Sequence, residues 1–275
     1  MLAGPLWAAS APHPGKALPA PRAIGCLIEP GKVADVGSQV VGVVESMKVD
    51  RGNTVVAGQT LLILRADVER ANAGVAQARA KVDAEVLAAV TGVQLAEAKL
   101  VRAEALVSQG FVSEQAAELA RGELEVARQK LNQVQSQQRI WQKEQGVAEA
   151  QLALRTVRSP YAGVIVERYI NAGERVEERP LLRVAMIDPL RVELLVPTAQ
   201  YGSLNMGDRI TVRPELPGAE PVIGTVSHID RVLDAASNSF RVRLKLPNPD
   251  HKLPAGLRCK VELPATLATQ GKTGG

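Results

Sequence analysis

Histidine, cysteine and methionine are the side chains most able to ligate a metal or lead a reaction, and this sequence holds few of them. The three histidines, His13, His228 and His251, lie far apart and lack the Cys/His/Asp spacing of a zinc or iron site. Met1, Met47, Met186 and Met206 form no cluster that would hold a soft metal. No Gly-x-Ser-x-Gly elbow, phosphate loop or Gly-x-Gly-x-x-Gly occurs. Ser/His/Asp combinations can be picked out, but none has local support. The chain therefore reads as a non-enzyme, with no catalytic, cofactor-binding or metal-ligating residue assigned. Cys26 and Cys259 stand at opposite ends without a paired-motif spacing, so they decide little about redox compartment. Ala23-Ile24-Gly25-Cys26 superficially matches a lipoprotein cleavage box. The residues before it, 12–22, are Pro-rich and polar, so Cys26 reads as a small apolar strand residue.

Composition removes further classes. Lys and Arg number 33 against 29 Asp and Glu, and the excess is scattered, with no basic run interleaved with aromatics. A nucleic-acid partner is not expected. Only Trp7, Trp141, Tyr161, Tyr169, Tyr201, Phe111 and Phe240 are aromatic, which suits coiled coil and small β modules better than a large enzyme core. No run approaches the 18 apolar residues of a membrane helix. Residues 1–10 carry a short apolar patch without a basic n-region, a poor export signal that leaves open a start upstream of Met1. Residues 1–22, with five prolines, read as disordered, and residues 265–275 as a flexible tail.

The element that organises the rest is the middle of the chain. Residues 31–159 contain no proline, and within 66–156 apolar residues recur at spacings of three and four. The first arm reads Val68, Ala71, Val75, Ala78, Val82, slips by four, and continues Val86, Ala89, Val93, Ala96, Leu100, Ala103, Val107. The second reads Ala117, Ala120, Leu124, Ala127, Leu131, Val134, Gln138, Trp141, Gln145, Ala148, Leu152. Sustained a/d seams of this kind predict a coiled coil. Between the arms, Gly110 suits a left-handed helix stop, Ser113 a side-chain cap and Glu114 the positive helix end. So short a link makes the helices antiparallel, projecting roughly 60 Å.

On either side of this hairpin the pattern turns to short β runs, and they repeat. Ser38-x3-Gly42-Val43-Val44 is matched by Ser159-x3-Gly163-Val164-Ile165, Gly52 and Val55 by Gly173 and Val176, and Leu61-Leu62 by Leu181-Leu182. Two half-motifs that cannot bury an apolar face alone predict one small β-sandwich, from residues 23–65 and 157–187. Residues 188–264 hold further short strands, with strict alternation at 241–246, and predict a small β-barrel. The fold class is thus α+β, elongated and multi-domain. Glu45-Ser46-Met47-Lys48-Val49 resembles the lysine tip of biotin and lipoyl carrier domains, whose sandwich is also a two-half repeat. The carrier lysine, however, sits on the hairpin joining the halves, where this chain has its helices. Lys48, the counterpart of Tyr169, reads as an ordinary strand residue, and no cofactor is assigned.

The order half-sandwich, helical hairpin, half-sandwich, barrel resembles the periplasmic adaptor family (membrane fusion proteins, HlyD-like) of RND-type tripartite efflux pumps, over about residues 23–264. Stretches similar to the family's are Asp50-Arg51-Gly52-Asn53, Arg158-Ser159-Pro160-Tyr161-Ala162-Gly163, Asp188-Pro189-Leu190-Arg191-Val192 and Leu253-Pro254-Ala255-Gly256. The resemblance implies a lipoyl-like sandwich split by the coiled-coil hairpin. It implies an adaptor at the inner membrane, in the periplasm, joining an RND transporter to a TolC-like outer-membrane channel. It also implies a homo-oligomeric ring, a hexamer in the family. Arg102-x3-Leu106-x6-Ser113 has the spacing of the family's tip motif, which would make these three the residues that meet the channel. Many members carry a further membrane-proximal β domain. About 22 residues before the sandwich and 11 after the barrel are too few to build one, so a minimal adaptor that docks through its barrel is expected. An adaptor of an ABC exporter or type I secretion system, and a biotin or lipoyl carrier component, are the alternative readings.

Overall fold

The computed structural model describes residues 23–263. The expected disordered leader, the flexible tail and His13 lie outside the described residues. In chain order the first strands are β1 (Ala23–Glu29), β2 (Lys32–Val36), β3 (Gly42–Met47), β4 (Thr54–Val55) and β5 (Thr60–Leu64). The helices α1 (Asp67–Ala80), α2 (Ala84–Ser108) and α3 (Glu114–Ala153) follow. After them come β6 (Thr156–Arg158), β7 (Gly163–Arg168), β8 (Arg175–Val176), β9 (Leu182–Met186), β10 (Leu190–Pro197) and β11 (Arg209–Pro214). The last are β12 (Val222–Ile229), β13 (Ser239–Leu246) and β14 (Leu257–Glu262). The described chain divides into two compact units, 34–184 and 23–33 with 185–263.

The first unit contains two four-stranded sheets, ordered β2-β9-β7-β4 and β6-β5-β3-β8. Each draws strands from both sides of the helices, and each strand of one has its sequence-repeat counterpart at the same place in the other. The bonding is reciprocal. Gly52 donates its amide to Ile165 O at 2.8 Å, and its counterpart Gly173 donates to Val44 O at 2.8 Å. Both glycines have φ near +85°, where a side chain would be strained (φ +84 and +87). Ser38 and Ser159 each donate to the carbonyl two residues on, Val40 and Tyr161, at 2.7 Å. Val44, Leu61, Leu62 and Leu64 share one buried core with Ile165, Ile170, Leu181, Leu182 and Val184. Each such burial is worth about 1.5–3 kcal/mol, and neither half could secure it alone.

The second unit is a closed six-stranded barrel, β1-β10-β13-β12-β11-β14. Residues 188–264, expected to hold short barrel strands, supply five of the six, β10 to β14. The sixth corrects the expectation that residues 23–65 all build the sandwich: β1 belongs to the barrel. It pairs antiparallel with β10 (Leu27 opposite Glu193) and with β14 (Leu27 opposite Arg258). Five strands would leave two unpaired edges, and β1 satisfies both at once. Ile28, Val192, Leu194, Val242, Leu244 and Val261 fill the interior, while Arg241, Arg243 and Lys245 alternate outward on β13. Cys26 and Cys259, opposite one another on β1 and β14, are joined in a disulfide across 233 residues of sequence.

The helical segment departs from expectation in one place. The first arm is broken at residues 81–83, so it is two helices against the single 40-residue α3, which spans about 60 Å. Above the break the predicted seam holds: Val86, Ala89, Val93, Ala96, Leu100, Ala103 and Val107 all turn away from solvent. So do all eleven predicted positions of α3. In and below the break the predicted phase is wrong. Val68, Val75 and Val82 are 68%, 53% and 39% exposed, and Glu69, Ala73, Ala76 and Ala80 face α3 instead. The break resets the helical phase, so extrapolating heptads through residues 81–83 chose the larger apolar residues on the wrong face.

Candidate partner-binding site at the hairpin tip

The hairpin is fastened at its foot. Arg155, just past α3, donates Nη2 to Glu69 Oε1 at 2.6 Å and Nη1 to Val41 O at 3.0 Å, and both members of the ion pair are about four-fifths buried. Its guanidinium passes so close to Gly42 that a Cβ there would lie 2.8 Å from Nη1. The Glu69 carboxyl is held below its ordinary range, first by its own backbone amide and then by Arg155. Arg70 adds a bridge to Glu45 at 3.0 Å. Higher up, Arg128–Glu97, Lys99–Glu123 and Arg121–Glu104 cross between α2 and α3 at 3.1, 3.1 and 2.8 Å. At such exposure each is worth no more than about 1 kcal/mol, so they set pairing register more than stability.

At the far end α2 closes in a Schellman turn. Gly110, at φ +75°, donates to Val107 O at 2.9 Å, and Phe111 donates to Leu106 O at 3.0 Å. Ser113 takes the expected N-cap position with extended backbone, but its hydroxyl makes no capping bond; instead its carbonyl accepts from Ala116 N at 3.0 Å. The cap expectation is therefore corrected, and the hydroxyl is left pointing at solvent. Arg102 and Leu106 lie one turn apart on α2. Arg102 is exposed and makes no ion pair among the described residues, and Leu106 is 41% exposed. Phe111, 74% exposed, and Val112, at 37%, add apolar surface at the same tip. They carry no periodicity, and only the turn geometry brings them out.

The other chemistry-bearing residues do not converge. Lys48 directly follows β3, its amide still bonded to Leu61 O at 2.9 Å. His228 approaches Asp230 at 3.1 Å on β12, and His251 sits in a turn at φ +53°. Among the described residues no three His, Cys, Asp or Glu side chains are grouped to hold a metal ion. No described helix is long and apolar enough to cross a membrane.

Comparison with known proteins agrees with this geometry. Residues 190–266 match the family model of the CusB-like β-barrel domain, the barrel described above. The cobalt-zinc-cadmium resistance protein CzcB of Cupriavidus metallidurans is 25% identical over 247 residues, 87% of this chain and 45% of its own length. The nodulation protein NolF of Rhizobium meliloti is 29% identical over 238 residues, 86% of this chain and 61% of its own length. Within residues 190–266 the chain thus carries a domain of the CusB-like β-barrel family. It spans about half the length of the curated relatives it matches (45% and 61%). Among solved structures, MacA of Actinobacillus actinomycetemcomitans superposes with a TM-score of 0.68 at 20% identity, covering 87% of this chain and 76% of that one. The membrane fusion protein Spr0693 of Streptococcus pneumoniae has a TM-score of 0.54 at 15% identity, covering 88% and 97%. These two likenesses establish the fold.

Proposed function

We propose that the chain is a periplasmic adaptor that links an inner-membrane RND transporter to an outer-membrane channel, with several copies side by side forming the conduit for export. The observation that carries this is the hairpin: roughly 60 Å of coiled coil with a fastened foot and a tip whose cation and apolar side chains have no partner among the described residues. A structural helix pair would not need to offer Arg102, Leu106, Phe111 and Val112 to solvent together. An arginine without a partner provides directional donors for another protein's carbonyls or carboxylates. In this reading Arg102, Leu106 and Ser113 meet the helical ends of the channel. The reciprocal two-sheet body is a lipoyl-like sandwich split by the hairpin, serving as a rigid base instead of a carrier. The barrel, 188–264 with β1, is the module that docks toward the transporter. No step in this function breaks or forms a bond.

The test is crosslinking in the cell. With Phe111→Cys the adaptor should crosslink to an outer-membrane channel protein. Arg102→Asp in the same chain should weaken both the crosslink and efflux. A tip that meets no channel protein, in cells where the chain supports efflux, would overturn the assignment.

A further inference from the structure

The outer wall of the barrel is polar almost throughout. Outward positions alternate with buried ones along its strands, and most carry charge: Arg209 and Arg213 on β11, Arg241, Arg243 and Lys245 on β13, Arg258, Lys260 and Glu262 on β14. Among the described strand residues of the barrel, only Leu27, Leu195 and Ile223 are large, apolar and exposed, at 40%, 58% and 47%. Ile223 stands on β12, three strands from β1 around the wall. Leu27 and Leu195 are neighbours, on β1 and β10, and beside them β1 presents Gly25, which carries no side chain.

Strand register sets these residues in two rows. Leu27 stands between Arg258 on β14 and Glu193 on β10, and Glu193 is opposite Arg243. Gly25 stands opposite Lys260 and, one step beyond the pair Cys26 and Leu194, opposite Leu195, which is itself opposite Arg241. The result is a cleft of about 530 Å³, with Gly25, Leu27 and Leu195 along its middle and cations on both rims. A Cβ at Gly25 would meet nothing within 4 Å, so the space above it is open. The rims differ in charge. Toward β13, Glu193 lies 3.2 Å from Arg243, 3.7 Å from Arg241 and 3.6 Å from Arg191, which neutralises part of that side. Toward β14, Lys260 meets Glu215 at 3.2 Å, and exposed Arg258 forms no ion pair among the described residues.

We propose that this cleft binds one anionic amphiphile with a single alkyl chain. Its phosphate or carboxylate head sits on Arg258, and its chain lies over Gly25 between Leu27 and Leu195. A guanidinium fork matches two oxygens of such a head. Glu193 repels an anion from the opposite side, so one orientation brings both head and chain to complementary surface. The chain in turn removes two exposed leucines from water. The cleft volume falls within the range of small-ligand sites, about 300–1,000 Å³. The apolar strip is one side chain wide with cations on both sides, which suits a single chain. An added strand from a partner protein does not fit, because the barrel is closed and leaves β1, β10 and β14 no free backbone edge. The site lies wholly on the barrel and uses no residue of the hairpin, so it stands or falls apart from the tip.

The test is calorimetric titration of the whole chain, its Cys26–Cys259 disulfide in place, with dodecyl phosphate below its micellar concentration. Saturable binding of one molecule per chain is expected. Inorganic phosphate, which lacks the chain, and dodecyl maltoside, which lacks the charge, should each bind more weakly by roughly tenfold or more. Gly25→Leu fills the cleft from a position where its Cβ meets nothing, and Arg258→Gln removes the free cation. Each should weaken dodecyl phosphate by a similar factor while circular dichroism melts match the parent. Arg209→Gln, an exposed cation outside the cleft, should leave binding unchanged. Equal affinity for dodecyl maltoside or for inorganic phosphate would overturn the proposal, as would binding that neither cleft variant alters. Binding to phosphatidylglycerol vesicles but not to the monomer would assign the cations to a membrane surface and overturn the cleft. No binding of dodecyl phosphate at all would overturn it equally.

Discussion

Glu69 shows how one side chain couples the hairpin to its base. It lies in the α1 seam, opposite α3, and it is the acceptor that holds Arg155 over Gly42. Its pKa in the folded chain is lowered, so the ionised form stabilises the fold. The sign follows: the contribution is complete above the ordinary glutamate pKa of about 4.3 and declines as pH falls through the folded value. We therefore expect acid unfolding of the hairpin foot to shift to higher pH when the pair is removed. Glu69→Gln should flatten the dependence of the unfolding midpoint on pH below about 4.3, leaving the profile near neutrality parallel to that of the parent. Circular dichroism melts across pH would measure it; identical slopes in both chains would show that the pair contributes nothing. Asp35, whose carboxyl is lowered first by the hydrogen bond from Arg183, should keep its own acid dependence in either chain.

At the level of the element, the two possible phases of α1 make opposite predictions. In the observed phase Ala80 is 7% exposed against α3 and Val75 is on the outside. Ala80→Leu should overpack the seam and cost about 1–3 kcal/mol. Val75→Leu should change stability by less than about 0.5 kcal/mol, as exposed substitutions do. Urea unfolding compares the two, and the reverse order would restore the heptad phase extrapolated from α2. Small residues suit the observed seam, because Ala73, Ala76 and Ala80 let α1 approach α3 closely while the valines remain free for other contacts. Here the sequence was ambiguous for a physical reason. Alanine and valine occur on nearly every face of α1, so periodicity alone does not choose the buried side, whereas in α3 the sustained seam through Leu124, Leu131, Val134 and Trp141 marks it, even though Leu119, Val126, Ile140 and Val147 stay exposed.

For the whole molecule, β1 and the disulfide matter most. The chain begins its described structure in the barrel, leaves for the sandwich, and returns at residue 185. The last barrel strand must therefore find the first across nearly the whole sequence, and Cys26–Cys259 ties them once found. Closing a loop of 233 residues removes much chain entropy from the unfolded state. Cys26→Ser is expected to destabilise the barrel by about 2–5 kcal/mol, and reductant should do the same to the parent chain. Such a bond persists in an oxidising compartment, in agreement with the periplasmic reading. Thiol titration of the denatured, unreduced protein should find no free cysteine; two free thiols in protein recovered from the periplasm would contradict the bond.

What the sequence determined by itself was whatever repeats locally. The seam of α2 and α3, the turn at Gly110, the alternating strands after residue 188 and the two-half β repeat all follow from spacings within a few turns or strands. The proposed tip residues Arg102, Leu106 and Ser113 could be named from the sequence because they lie within twelve residues of one another. Only tertiary structure decided the rest. The partner of β1 depends on two edges more than 160 residues away, since Leu27 pairs with Glu193 and Arg258. The pairing of Cys26 with Cys259 depends on that same barrel closure, and two lone cysteines have no spacing to reveal it. The phase of α1 depends on how a three-residue break sits against α3. In each case the deciding free energy is the satisfaction of edges and faces brought together by the fold, and no local pattern encodes which distant edge that will be.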